Sequence, residues 1–219
     1  MARLAEDQDR GVRPSCREHR YGRGVGSTQA VKIVVTGPFS AGKTQFIRTI
    51  SEIDVVATER FISSAQERIK PQTTVAMDFG RITVDEDLVL YLFGTPGQRR
   101  FEFMWEVLSE GMLGFVVLLD SVRPETFREA QDILGVFRSY ASVPYIVAAN
   151  KQDLDDAWPP EDLRIALKIP QSIKMVPCVA TDKESVKETL LALLYLVLEM
   201  MEETPEGLWQ VASREEFSG

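Results

Sequence analysis

The stretch Val31-Lys32-Ile33-Val34-Val35-Thr36-Gly37-Pro38-Phe39-Ser40-Ala41-Gly42-Lys43-Thr44 decides the fold. It opens on a β-branched run, the signature of a strand. The loop after it fits G-x-x-x-x-G-K-[ST], and helix-forming residues continue to about Ser51. Glycine lets main chain come close to an anion, so successive N–H groups of such a loop point at phosphate. The helix start adds the positive end of its dipole. Gly37, Ser40, Ala41, Gly42 and Gln45 are thus candidates for nucleotide binding. Lys43 is expected to reach the β- and γ-phosphates, and the Thr44 hydroxyl to hold Mg²⁺.

From Ala30 onward the chain alternates strand, loop and helix. Val75–Val84 and Leu88–Phe93 read as strands, and the short turn Asp85-Glu86-Asp87 makes them a hairpin. Leu113–Leu119 is apolar throughout, as in a strand covered on both faces. A helix is expected over Pro124–Ser139, with Pro124 suited to its first turn. Strands follow at Val143–Ala149 and Lys174–Val179, and helices at 160–167 and 183–202. Residues 52–73 are polar, contain Pro71 and read mostly as loop. This order predicts an α/β fold: a mostly parallel six-stranded sheet with one antiparallel edge strand and helices on both faces.

Residues 1–29 carry Gly22, Gly24 and Gly26 among arginines and read as a disordered basic tail. Residues 30–203 form the domain, and 204–219 a C-terminal tail. Within the last helix, Leu190–Leu198 is apolar nearly all round, more than one core-facing stripe requires. Either the helix is deeply covered, or its outer face meets a partner, a second copy included.

A net charge of −8 argues against bulk nucleic-acid binding, which needs a surplus of Lys and Arg. Cys16 and Cys178 form no C-x-x-C and no metal spacing, as expected in a reducing cytoplasm. No stretch reaches the ~20 apolar residues of a membrane span, so no integral membrane segment is expected. Cys178 is expected to be buried and inert, and His19 has no catalytic role.

Asn150-Lys151-Gln152-Asp153 follows an apolar strand. Asp153 can accept from the N1–H and exocyclic amine of guanine. Adenine offers neither donor there and leaves the carboxylate unpaired, which is costly for a buried acceptor. The pattern favours GTP over ATP and disfavours an ATP-dependent kinase built on the same phosphate loop.

With these two motifs in this order, the chain resembles the Ras-type small GTPases over about Ala30–Met201. Through Phe93-Gly94-Thr95-Pro96-Gly97-Gln98 it is most similar to the prokaryotic Ras-like group of gliding-motility polarity (MglA-like) GTPases. The resemblance implies a P-loop NTPase small G-domain that binds GTP or GDP with Mg²⁺, hydrolyses GTP slowly and signals the change. It assigns Thr74, with Thr73 as runner-up, to the switch threonine that meets Mg²⁺ and γ-phosphate. It assigns Gly97 to the γ-phosphate through its N–H, and Gln98, beside Lys43, to the catalytic step of orienting water. Ala180 and Thr181 fall in the guanine-side loop, where the Ala180 N–H meets the base oxygen. A Roadblock-type (MglB-like) protein is the implied regulator. Residues around Thr74 and Phe101–Trp105 are the implied effector surface.

The match departs from the family in three places. Gly94 stands where an acidic residue usually helps hold Mg²⁺, so weaker metal retention is expected. Phe39 stands where Ras has glycine, and its ring crowds the space for a glutamine or a partner's arginine. No arginine directly precedes Thr74, which implies slow hydrolysis that needs a partner. The alternative is a non-hydrolysing GTP-binding scaffold, favoured by Gly94 and Phe39 and opposed by Gln98.

Overall fold

The computed structural model describes residues 29–61, 74–97, 102–140 and 142–203. Strand β1 (Gln29–Thr36) leads through the phosphate loop into α1 (Lys43–Ile50). Then come β2 (Val56–Phe61), β3 (Thr74–Asp85), β4 (Leu88–Gly94), α2 (Glu102–Ser109) and β5 (Gly114–Asp120). A 3-10 turn at Pro124–Thr126 enters α3 (Phe127–Tyr140). β6 (Tyr145–Asn150), α4 (Pro160–Ala166), β7 (Met175–Pro177) and α5 (Lys183–Glu203) complete the described chain.

The sheet runs β2-β3-β4-β1-β5-β6-β7. β4, β1, β5, β6 and β7 are mutually parallel, while β3 is antiparallel to both β2 and β4. The α/β class and the mostly parallel sheet match the sequence reading. The strand count does not: among the described residues the sheet has seven strands rather than six. The extra one, β2, lies within 52–73, where a polar run without alternation gives no strand signal. It pairs with β3 from Val56↔Phe79 to Phe61↔Thr74. β3 therefore lies one place in from the edge. At the opposite edge β7 is shorter than expected and ends at Pro177, which has no N–H to donate.

Alternation along the central strands divides the core in two. Ile33, Val35, Val116, Leu118, Ile146 and Ala148 face α1 and α5. Val34, Phe115, Val117, Leu119, Val147 and Ala149 pack with Trp105, Ile133, Phe137 and Leu163 on the other side. Every residue of β5 is buried, as its apolar run requires. On α5, Val186, Leu190, Leu193 and Val197 are buried while Leu191, Tyr195 and Leu198 are exposed. The described residues therefore leave part of this helix's outer face uncovered. No described helix is long and apolar enough to cross a membrane.

Candidate nucleotide site

The site forms where β1, β5 and β6 end, the edge at which open α/β sheets bind ligands. The phosphate loop turns tightly enough to need positive φ at Gly37 (141°), Ser40 (62°) and Gly42 (100°). A Cβ on Gly42 would fall 2.4 Å from Asn150 Nδ2, so no other residue fits between loop and β6. Asn150 is 2% exposed and joins three loops. Its Nδ2 donates to Ala41 O (2.8 Å), and its Oδ1 accepts from Ala180 N–H (2.8 Å). The Ala180 amide is therefore engaged within the protein, and Thr181 lies exposed beside it. Gln45 Nε2 donates to Thr49 Oγ1 (3.0 Å), which itself donates to Ala180 O (2.6 Å).

Lys43 is buried, and its Nζ donates to Gly37 O (2.7 Å) and Pro38 O (2.6 Å). Burial pulls its pKa down from 10.5 to about 8, against the opposing pull of the Asp78 and Glu129 carboxylates. A lysine so held has its ammonium aimed at the loop's own oxygens, ready for stronger phosphate acceptors.

Asp78 is the functional candidate that sequence reading missed. Thr44 Oγ1 donates to Asp78 Oδ2 at 2.6 Å. Asp78 pairs across the ladder with Gly94. A Cβ on Gly94 would lie 2.9 Å from Asp78 Cβ and 3.1 Å from its Oδ2. A carboxylate thus lies on the neighbouring strand, directly across the ladder from position 94. A hydroxyl and a carboxylate are hard oxygen donors of the kind Mg²⁺ takes, usually with several waters. The pair fits that ion, and the expectation of weak retention drawn from Gly94 alone no longer follows. The available signal was the pleat: residues opposed on neighbouring strands share a face.

Thr95 closes the end of β4 through its N–H to Val35 O (3.0 Å) and its hydroxyl to Thr36 Oγ1 (2.9 Å). Gly97 rests on the phosphate loop: a Cβ there would meet Phe39 N at 2.6 Å and Lys43 Nζ at 2.9 Å. The Phe39 side chain is mostly exposed. Trp105 is 1% exposed, and its indole N–H donates to Pro96 O (3.0 Å). This corrects the expectation that Trp105 belongs to an effector surface, since its ring is core against Phe137. Phe103 and Val107 are the exposed apolar residues of α2. Thr74 is the first residue of β3. Gln98, Thr73 and Phe101, and the tails 1–28 and 204–219, lie outside the described residues.

Lys151 has left-handed backbone (φ 68°), and Asp153 is exposed. Cys178 is buried, and burial pushes its thiol pKa up, consistent with an inert side chain.

A family model described as conserved hypothetical ATP binding protein matches residues 35–216. Uncharacterized protein MJ1339 of Methanocaldococcus jannaschii is 33% identical over 126 residues, 58% of this chain and 73% of that protein. Human Ras-related protein Rab-3A is 26% identical over 200 residues, 87% of this chain and 86% of the relative. Human Ras-related protein Rab-3D is 28% identical over 182 residues, 80% and 77% of the two chains.

Proposed function

The chain belongs to the family described as conserved hypothetical ATP binding protein, and on that premise we propose that it is a guanine-nucleotide switch. At the coarser level it is a nucleotide-binding P-loop protein of GTPase-like kind, related to the Ras-related Rab proteins. The guanine reading departs from the word ATP in the family description. It rests on Asn150, which ties the N-K-Q-D loop to Ala41 of the phosphate loop and to Ala180. One buried amide thereby joins the loop that would grip phosphate to the loop that carries Asp153, the carboxylate assigned here to the base.

In this reading Lys43 and the loop amides hold the β- and γ-phosphates, and Thr44, Asp78 and Thr74 hold Mg²⁺. The ion, when bound, neutralises phosphate charge. Gln98 orients water for in-line attack on the γ-phosphate, and the preorganised amides and ammonium stabilise the charge that develops. Gly97, packed on Phe39 and Lys43, moves when a γ-phosphate occupies that space, and α2 moves with it. A Roadblock-type regulator, the MglA-like branch, cytoplasmic location and self-association through Leu191, Tyr195 and Leu198 belong to the same proposal. The competing scaffold reading rested partly on Gly94, and an acid beside Thr44, at Asp78, counts against that support.

Calorimetry with GDP and ADP in Mg²⁺ tests the base, and Asp153→Ala should bring the two affinities together. Equal affinities in the wild type would refute the guanine reading. Single-turnover GTP hydrolysis tests the enzyme, with Gln98→Leu as control and with or without a Roadblock-type protein. No GTP loss under any of these conditions leaves the scaffold.

A further inference from the structure

We infer that Asp120 is a positioning residue for the nucleotide base, acting by holding the Lys151 side chain in place; this rests on the guanine reading above. Asp120 ends β5 and is wholly buried. Its Oδ2 lies 2.6 Å from Lys151 Nζ, and its Oδ1 accepts the Val122 N–H at 3.2 Å. In the parallel ladder Asp120 is level with Asn150, the residue that ties the loops together. A carboxylate removed from water needs both a counter-charge and hydrogen bonds, and this one has them.

Lys151 stands between Asn150 and Asp153 in the base-reading loop, partly exposed, on left-handed backbone. A non-glycine residue holds that conformation only when its surroundings impose it. Here they do. Ser121 N–H donates to Asn150 O (3.2 Å), Trp158 N–H to Ser121 O (2.9 Å), and Gln152 Nε2 to Ser121 Oγ (2.9 Å) and Trp158 O (3.0 Å). These bonds fix the loop backbone and the Gln152 side chain, while Asp120 fixes the Lys151 side chain beside it. A free lysine loses much rotamer freedom when a ligand packs on it. The Asp120 pair has removed that freedom before binding, which raises affinity without any contact to the ligand.

The test compares Asp120→Asn, Lys151→Met and the double variant. GDP affinity is measured by calorimetry, and pyrophosphate affinity serves as a probe that lacks the base. Asp120→Asn should weaken GDP roughly tenfold, within the range of coupled neighbours, and leave pyrophosphate unchanged. Lys151→Met should do the same, and the double variant should bind GDP no worse than Lys151→Met alone. Unchanged GDP affinity in Asp120→Asn overturns the inference. So does a parallel loss of pyrophosphate, or losses that multiply in the double variant. Should Asp120→Asn fail to fold, the double variant, which holds no lone buried charge, is compared with Lys151→Met. Equality supports the positioning role, and a further loss overturns it. If wild-type protein does not prefer GDP to ADP, the guanine reading itself has failed, and this inference falls with it.

Discussion

Moving the acid at positions 78 and 94 separates two accounts of the metal site. If Gly94 is a defect, Gly94→Asp should tighten Mg²⁺ binding. The geometry argues the opposite. The new Cβ would lie 2.9 Å from Asp78 Cβ and 2.9 Å from Ile47 Cδ1, so strand or helix must shift. Overpacking of this kind costs about 1–3 kcal/mol. Two carboxylates about 4 Å apart add roughly 4 kcal/mol of repulsion at an effective dielectric of 20. These costs fall on the fold; an acid well placed beside a metal gains at most about 1.4–2.7 kcal/mol, equivalent to ~10–100-fold in metal affinity, and a side chain that displaces the strand or helix to fit is not well placed. Gly94→Asp is expected to lower stability and leave Mg²⁺ no tighter. Asp78→Asn should weaken Mg²⁺ by about 10–100-fold. The exchange Asp78→Gly with Gly94→Asp should restore most of it. The assay is release of a fluorescent GDP analogue as free Mg²⁺ is lowered, with thermal melts beside it. A Gly94→Asp variant that melts like wild type and holds Mg²⁺ more tightly would refute this reasoning, as would an unaltered Mg²⁺ dependence in Asp78→Asn.

Lys43 makes apo stability depend on pH. Its folded pKa, about 8, lies below the ordinary value of 10.5, so the unfolded chain binds more protons between those values. Stability should therefore rise from about pH 8 to pH 10.5, by on the order of 3 kcal/mol for this group alone. Denaturant titrations of wild type and Lys43→Met check this, and equal slopes in the two proteins would exclude it. Trp105→Ala removes a buried ring and the bond to Pro96 O, and should cost about 3–5 kcal/mol; an unchanged melting temperature would mean that the ring is not core. Gly97→Ala puts a methyl against Phe39 N and Lys43 Nζ. It should slow single-turnover GTP hydrolysis by about tenfold or more while sparing GDP affinity, and unaltered hydrolysis would show that the close approach is irrelevant.

The fold was legible wherever periodicity was strong. β1 is a β-branched run broken by Lys32, β5 and β6 are short and largely apolar, and a covered strand can be read from such composition. β2 was not legible, because its polar sequence joins the sheet through main-chain bonds to β3 that no side-chain pattern announces. The phosphate loop and the Asn150 motif were readable because each compresses its chemistry into a few consecutive residues. Their joining through Ala41 O and Ala180 N–H was not, since it depends on three loops meeting at one strand end. Trp105 shows the opposite error. An aromatic beside a glutamine looks like a binding surface, yet α2 turns this one inward and Phe103 outward.

In the proposed metal site, Asp78 would be an acid that has left its motif and kept its place. Opposed residues on antiparallel strands point to the same face, with Cβ atoms ordinarily about 4.5–5.5 Å apart. At Asp78 and Gly94 the strands pinch, and a Cβ at position 94 would be far closer than that. The two identities are therefore one solution: the acid can stand on β3 only because its partner on β4 has no side chain. Sites of this kind tolerate paired exchange and resist single repair. A search of one motif for its missing acid fails by construction, while a search of the paired position across the ladder finds it. If the double exchange, Asp78→Gly with Gly94→Asp, binds Mg²⁺ no better than Asp78→Asn, then the face shared by these strands is not what selects the metal. The Thr44–Asp78 bond would then be a structural contact only.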